Sequence, residues 1–217
     1  MQFAPGVRRY ALPPVLAAIV AAVASPALAL GFVALAGFVC WFFRDPDRTR
    51  PPRGIVSPAD GRVSLIRRED DRIRVGVFMN VSDVHVNRAP IGGSVDSVRH
   101  EPGGHLPAFS KSAERNERTH FAIGDVDVTL IAGTIARRIT PYVDDGDAVG
   151  RGDRIGHIAF GSRADVLLPA SVDRDDVAVE RGERVRAGET VVARVDGRPT
   201  DTADDGPGRR EPTTDGT

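Results

Sequence analysis

A chain of 217 residues has room for one domain plus a membrane segment, or one domain with tails. Its 29 basic and 30 acidic residues nearly balance, so no basic face marks a nucleic-acid partner. Lys111 is the only lysine and Cys40 the only cysteine, which excludes an intrachain disulfide and a cysteine-based zinc site.

From residue 11 to residue 43 no charged side chain occurs. A straight helix of that length would extend roughly 50 Å, against a hydrocarbon core of about 30 Å. Pro26 divides the run into 11–25 and 27–43, so two short helices in a hairpin fit better than one crossing. Arg8 and Arg9 precede the run, and Arg44, Arg48, Arg50 and Arg53 follow it. Positive flanks favour the cytoplasmic side at both ends, again a hairpin. The sequence Trp41-Phe42-Phe43-Arg44 reads as an interfacial anchor and not as a small-residue signal-peptide cleavage site. Residues 1–53 are therefore expected to be a transmembrane or re-entrant helical hairpin in the cell membrane, with the remainder on its cytoplasmic side.

Beyond residue 54 the pattern changes to short β-rich runs separated by Gly, Asp and Pro. Strands are predicted at 62–67, 72–79, 94–99, 120–123, 127–132, 154–160, 164–168 and 190–195. Asp60-Gly61, Gly92-Gly93, Gly124-Asp125, Asp145-Gly146 and Gly152-Asp153 supply the turns. Two stretches, 144–158 and 180–195, share the form Gly, charged, x, Val, x, x-Gly, strand. With Ser57-Pro58-Ala59-Asp60-Gly61 they resemble the hammerhead turns of lipoyl- and biotinyl-type domains. The expectation is a mainly β, lipoyl-like sandwich over 54–196. Residues 197–217, rich in Asp, Thr, Pro and Gly, should be disordered.

Three positions invite chemistry. Gly161-Ser162 joins two strand-like runs, and glycine leaves its own carbonyl open to attack by the neighbouring hydroxyl. Taken alone, such a pair is an ordinary turn. His85 follows an apolar strand in a polar stretch closed by Pro90 and could move protons near neutral pH, or serve as a hydrogen-bonded structural histidine. Asp60 could orient an imidazole or simply be a turn aspartate, and spacing does not decide whether the two meet.

Taken in order, the segments change this picture. Ser57-Pro58-Ala59-Asp60-Gly61, then 82–90 around His85, then 109–119, 135–139 and 160–169 resemble the phosphatidylserine decarboxylase family, behind an apolar anchor ending Phe42-Phe43-Arg44-Asp45-Pro46. The likeness runs over roughly residues 35–195 and is nearest the short bacterial and archaeal form. It implies a proenzyme that cuts itself between Gly161 and Ser162, leaving chains 1–161 and 162–217 associated, with Ser162 converted to a pyruvoyl group. His85 matches the family's histidine base and Asp60 its aspartate partner. The resemblance further implies decarboxylation of phosphatidylserine, or of archaetidylserine, to the ethanolamine lipid, with no metal and no pyridoxal phosphate. The partners implied are the phospholipid and the bilayer, with a homodimer only by family analogy. Lys111, Arg115, Arg118, Arg137 and Arg138 are candidates for the lipid phosphate, since guanidinium groups bind phosphate in bidentate fashion.

Two other readings compete. A membrane-anchored, lipoyl-like adaptor would explain the anchor and the turns but not the ordered segments, and a carrier needs a lysine at a hairpin tip, where none stands. A zinc peptidase is disfavoured, because the 5 histidines form no H-x-H or H-E-x-x-H pair.

Overall fold

A computed structural model describes residues 2–104, 116–133, 139–158 and 162–195. It is mainly β, with two helices at the N-terminus. The chain opens with β1 (Gln2–Phe3), α1 (Val7–Ala24), α2 (Pro26–Phe42) and β2 (Arg44–Asp45). Pro26 takes the first turn of α2, where its missing N–H costs nothing, and Ser25 caps the same helix by accepting from the Leu28 amide at 3.4 Å. β1 and β2 pair antiparallel, and Tyr10 stacks on Phe43 with ring centroids 4.9 Å apart. The start of α1 and the end of α2 therefore lie side by side, and the two helices form a hairpin. α1 is long and apolar enough to cross a membrane. Leu12, Leu16, Ile19, Val20, Val23, Leu30 and Val33 are exposed on the two helices. The helix begins four residues before the uncharged run because arginine is a good helix former, and Arg8 and Arg9 enter its first turn.

The rest of the described chain is built from β3 (Ile55–Val56), β4 (Gly61–Glu69), β5 (Arg72–Met79), β6 (Val86–Arg88), β7 (Gly93–Glu101), β8 (Arg118–Ile123), β9 (Val126–Ile131), β10 (Ile139–Pro141), β11 (Ala148–Val149), β12 (Arg154–Ile158), β13 (Ser162–Leu167), β14 (Arg184–Val185) and β15 (Val191–Ala193). Eight of them form one antiparallel, curled sheet in the order β11-β7-β8-β9-β13-β5-β4-β14. A second sheet of three strands runs β10-β12-β6, and β15 pairs β3. The stretches 144–158 and 180–195 each begin with a two-residue strand that closes one end of the large sheet, β11 on β7 and β14 on β4.

The eight predicted strands all occur, the segment predicted at 154–160 being described only to Ile158. Strand alternation decides what faces the core. Ile73, Val75, Val77 and Met79 of β5, Val126, Val128 and Leu130 of β9, and Ala164 and Val166 of β13 are buried together. Intervening residues line the opposite face, where Arg67, Arg74, Arg118, His120, Asp127, Arg163 and Asp165 border a groove of ≈ 720 Å³. A second cluster, Ala4, Phe42, Phe43, Val84 and Val86, seals the foot of the hairpin against the β domain. The tail predicted to be disordered, 197–217, lies outside the described residues.

Candidate active site

β13 is the strand on which the site is built. It is laddered on both sides, to β5 and to β9, and its first residue is Ser162, opposite Met79. Ser162 shares the inward parity of Ala164 and Val166 and is wholly buried. Its Oγ contacts Met79 Sδ at 3.9 Å, a weak acceptor that leaves the hydroxyl poorly satisfied. The Nδ2 of Asn87 approaches the same sulfur at 3.7 Å and donates to the Pro58 carbonyl at 3.4 Å. Met79 thus bridges the serine at the head of β13 to β6. Gly161 lies outside the described residues.

His85 stands immediately before β6 and is 2% exposed. Its Nδ1 lies 3.0 Å from the Asp83 carbonyl oxygen. A carbonyl only accepts, so Nδ1 carries the proton and Nε2 keeps its lone pair. Among the described residues that Nε2 is buried without a hydrogen-bond partner, as is Oδ1 of Asn87. Burial pushes the imidazole down to about 4, the nearby Asp83 opposing and Arg44 and His157 assisting. At neutral pH the ring is uncharged and basic at one nitrogen. His157, across the β6–β12 pairing from Val86, is likewise pushed to about 4 by burial and shares a 2.7 Å hydrogen bond with the Tyr142 hydroxyl.

Asp60 sits in the turn entering β4. Its Oδ1 accepts from the Ala187 amide at 2.8 Å and its Oδ2 from Arg48 at 2.9 Å. Burial raises its carboxyl, with Arg48 pulling the other way. Its partners here are Arg48 and Ala187, while the group that orients His85 is a main-chain carbonyl. Gly61, next in sequence, has φ +146°, and a Cβ there would come within 2.1 Å of the Phe78 carbonyl oxygen. Only glycine allows the Asp60 turn to lie this close to β5.

Of the candidate phosphate ligands, Arg118 begins β8 and lines the charged groove, on the opposite face of the sheet from the Ser162 side chain. Lys111, Arg115, Arg137 and Arg138 lie outside the described residues. Among those described, no group of three or more His, Cys, Asp or Glu side chains could hold a metal ion.

Sequence reading missed four polar residues. Asp45 is wholly buried between Arg88, whose guanidinium it meets at 2.6 Å, and Arg154, with which it forms a second ion pair. Asp83 caps the Asn80 amide at 2.8 Å and pairs with Arg184 of β14 at 2.8 Å. Asn87 and Arg88 complete the set. All sit inside the segments already singled out, so the signal was present as polar residues in otherwise apolar, ordered motifs.

Comparison with known proteins assigns the chain to a family. The family model for phosphatidylserine decarboxylase matches residues 35–193. A protein of Halobacterium salinarum, provisionally named an archaetidylserine decarboxylase proenzyme, is 59% identical over 191 residues, covering 88% of this chain and 97% of that one. The phosphatidylserine decarboxylase proenzyme of Streptomyces avermitilis is 50% identical over 176 residues, covering 79% and 80% of the two chains. That of Thermobifida fusca is 53% identical over 169 residues, covering 76% of each.

Proposed function

We propose, because the chain belongs to the phosphatidylserine decarboxylase family, that it is made as a proenzyme, cuts itself between Gly161 and Ser162, and decarboxylates a serine phospholipid to its ethanolamine counterpart. The observation that carries this reading is the fully buried Ser162 hydroxyl at the head of β13, held among the described residues by nothing stronger than a thioether. Such a hydroxyl retains the lone pairs needed to attack the carbonyl carbon next to it.

In the proposed cleavage, Ser162 Oγ attacks the Gly161 carbonyl carbon and the peptide nitrogen leaves, giving an ester. Removal of the Ser162 α-proton then breaks the ester C–O bond. Gly161 departs as a carboxylate, and addition of water with loss of ammonia leaves a ketone at position 162. His85 is the base in this reading: its Nε2 lone pair is open and its charge state constant across neutral pH. Asp60 has a supporting role, holding the β4 turn against Arg48 and the 187 amide. Asn87, with a free Oδ1, is suited to orient a reacting polar group.

The residues present fit a pyruvoyl group at 162: the position is buried, and two unpartnered polar atoms, His85 Nε2 and Asn87 Oδ1, belong to the strand segment joined to it through Met79. When formed, that group supplies a conjugated carbonyl which takes up the electrons released with carbon dioxide. In the same reading His85 returns a proton to the substrate carbon. The hairpin holds the domain at a bilayer, on the cytoplasmic side by the arginine flanks. The glycine-punctuated edges at 144–158 and 180–195 support a lipoyl-like ancestry for the β domain. The lipid is phosphatidylserine or its ether-linked archaeal analogue.

Intact-mass analysis of the purified protein tests the proposal. Two chains are expected, the smaller starting at position 162 and resistant to Edman degradation. Ser162→Ala should give one uncut, inactive chain. A variant that is still cut and active, or a wild type found as a single polypeptide, defeats the reading and favours a non-enzymatic anchored adaptor.

A further inference from the structure

Four consecutive residues at the foot of the hairpin each touch an element of the candidate site. The Phe42 ring, wholly buried at the end of α2, lies 4.4 Å from the His85 imidazole with the planes 31° apart. Phe43 meets His157 edge-on at 5.7 Å. Arg44 donates to the Ser82 carbonyl at 2.6 Å, just ahead of the His85 turn, and stacks 4.4 Å from the Trp41 ring centroid. Asp45 joins Arg88 of β6 to Arg154 of β12.

His85 needs such a support. Among the described residues its one hydrogen bond, to the Asp83 carbonyl, comes from its own segment and fixes a single direction, leaving the ring free to swing about that axis. A flat ring packed against the imidazole removes that freedom and keeps water from Nε2. We propose that Phe42 is a positioning residue for His85, so that the membrane hairpin forms one wall of the active site and its seating on the β domain sets the state of the base. This rests on the role given to His85 above. The charged and titratable groups facing the imidazole are Asp83 on its own segment, Arg44 on the hairpin and His157 on β12. Asp83 is itself paired with Arg184 of β14, and Phe42 adds a flat apolar face to this set.

The test uses the full chain in lipid nanodiscs, in a Ser162→Ala background, so that the readout does not depend on maturation. The His85 Cε1–H resonance, assigned by its loss in His85→Asn, is titrated by NMR. A midpoint of about 4 is expected with Phe42 in place, and Phe42→Leu should raise it by about one unit or more. Phe38→Leu, on a partly exposed ring 6.2 Å from Phe42, should leave it unchanged. With Ser162 restored, Phe42→Leu should slow appearance of the cut chain about tenfold, and Phe42→Trp, which keeps an aromatic wall, should recover most of that rate. An unchanged His85 midpoint in Phe42→Leu, or cleavage at the wild-type rate, overturns the proposal. If Phe42→Leu unfolds the domain, seen as loss of the His157 shift, Phe42→Trp decides: its His85 midpoint must stay low, and a midpoint near the free-histidine value overturns the proposal. Cutting of the Ser162→Ala chain, seen by mass on the same samples, would instead refute the self-cleavage reading and leave the Phe42 result standing.

Discussion

A histidine whose one nitrogen faces a carbonyl and whose other faces no partner has its tautomer chosen for it, and His85 is in that position. The same burial that frees Nε2 has a thermodynamic cost at low pH. His85 and His157 are both pushed from 6.5 down to about 4, whereas in the unfolded chain they take up protons near their ordinary value. Between about pH 6.5 and 4 the unfolded state binds more protons, so stability falls as pH falls through that window and is constant above it. The loss amounts to at most about 3 kcal/mol per histidine. Thermal melts in detergent should be flat across the neutral range and decline below about pH 6.5, with a shallower decline in His85→Gln. Asp45 is more exacting: Asp45→Ala leaves Arg88 as a buried, uncompensated charge and takes the carboxylate from the half-exposed Arg154, and should cost about 3–5 kcal/mol by the same melts. Ser162, His85 and Asp60 could be singled out as candidates because their neighbours are distinctive. The burial of Asp45, Asp83 and Asn87 was not, since a polar residue reads as exposed until the element covering it is known. Nor did spacing show that Asp60 is clasped by Arg48, 12 residues earlier in the chain.

Long strands announce themselves and short ones do not. β5 runs over the residues predicted from its alternation, because a half-buried strand of 8 residues repeats its pattern often enough to be read. β3, β6, β10, β11 and β14, of two or three residues, carry no period, and their pairing is decided by the partner strand. That is why β6, which holds Asn87 and Arg88, was read only as a polar stretch after a strand. The break in the helical hairpin was legible because Pro26 falls in the middle of the uncharged run, and it opens α2 at its first position. At the level of elements, the β4–β5 ladder depends on Gly61, where any side chain would collide with the Phe78 carbonyl and also meet an unfavourable φ. Gly61→Ala should therefore destabilise by well over about 1 kcal/mol and displace the Asp60 turn. Both the thermal midpoint and the fraction of cut chain should drop, whereas Gly146→Ala, at a turn with open space around it, should lower the midpoint only modestly.

For the molecule as a whole, the hairpin brings both of its ends to one side. In a Cys40→Ala background, single cysteines at Gln2 and Arg53 should both react with a membrane-impermeant maleimide from the same face of sealed vesicles, and from opposite faces if α1 alone crosses. The layout of the large sheet has a further consequence. β13 is locked between β5 and β9, β14 lies on β4 and β15 on β3. A break ahead of Ser162 would leave every described strand that follows it zipped to a strand that precedes it. The two fragments then stay together without a covalent tie, but their reassembly changes molecularity. An unfolded precursor can find its way back alone, whereas an unfolded mature enzyme must wait for a collision whose rate depends on concentration. Maturation would thus be a one-way passage, after which the enzyme's working life is set by how slowly it comes apart.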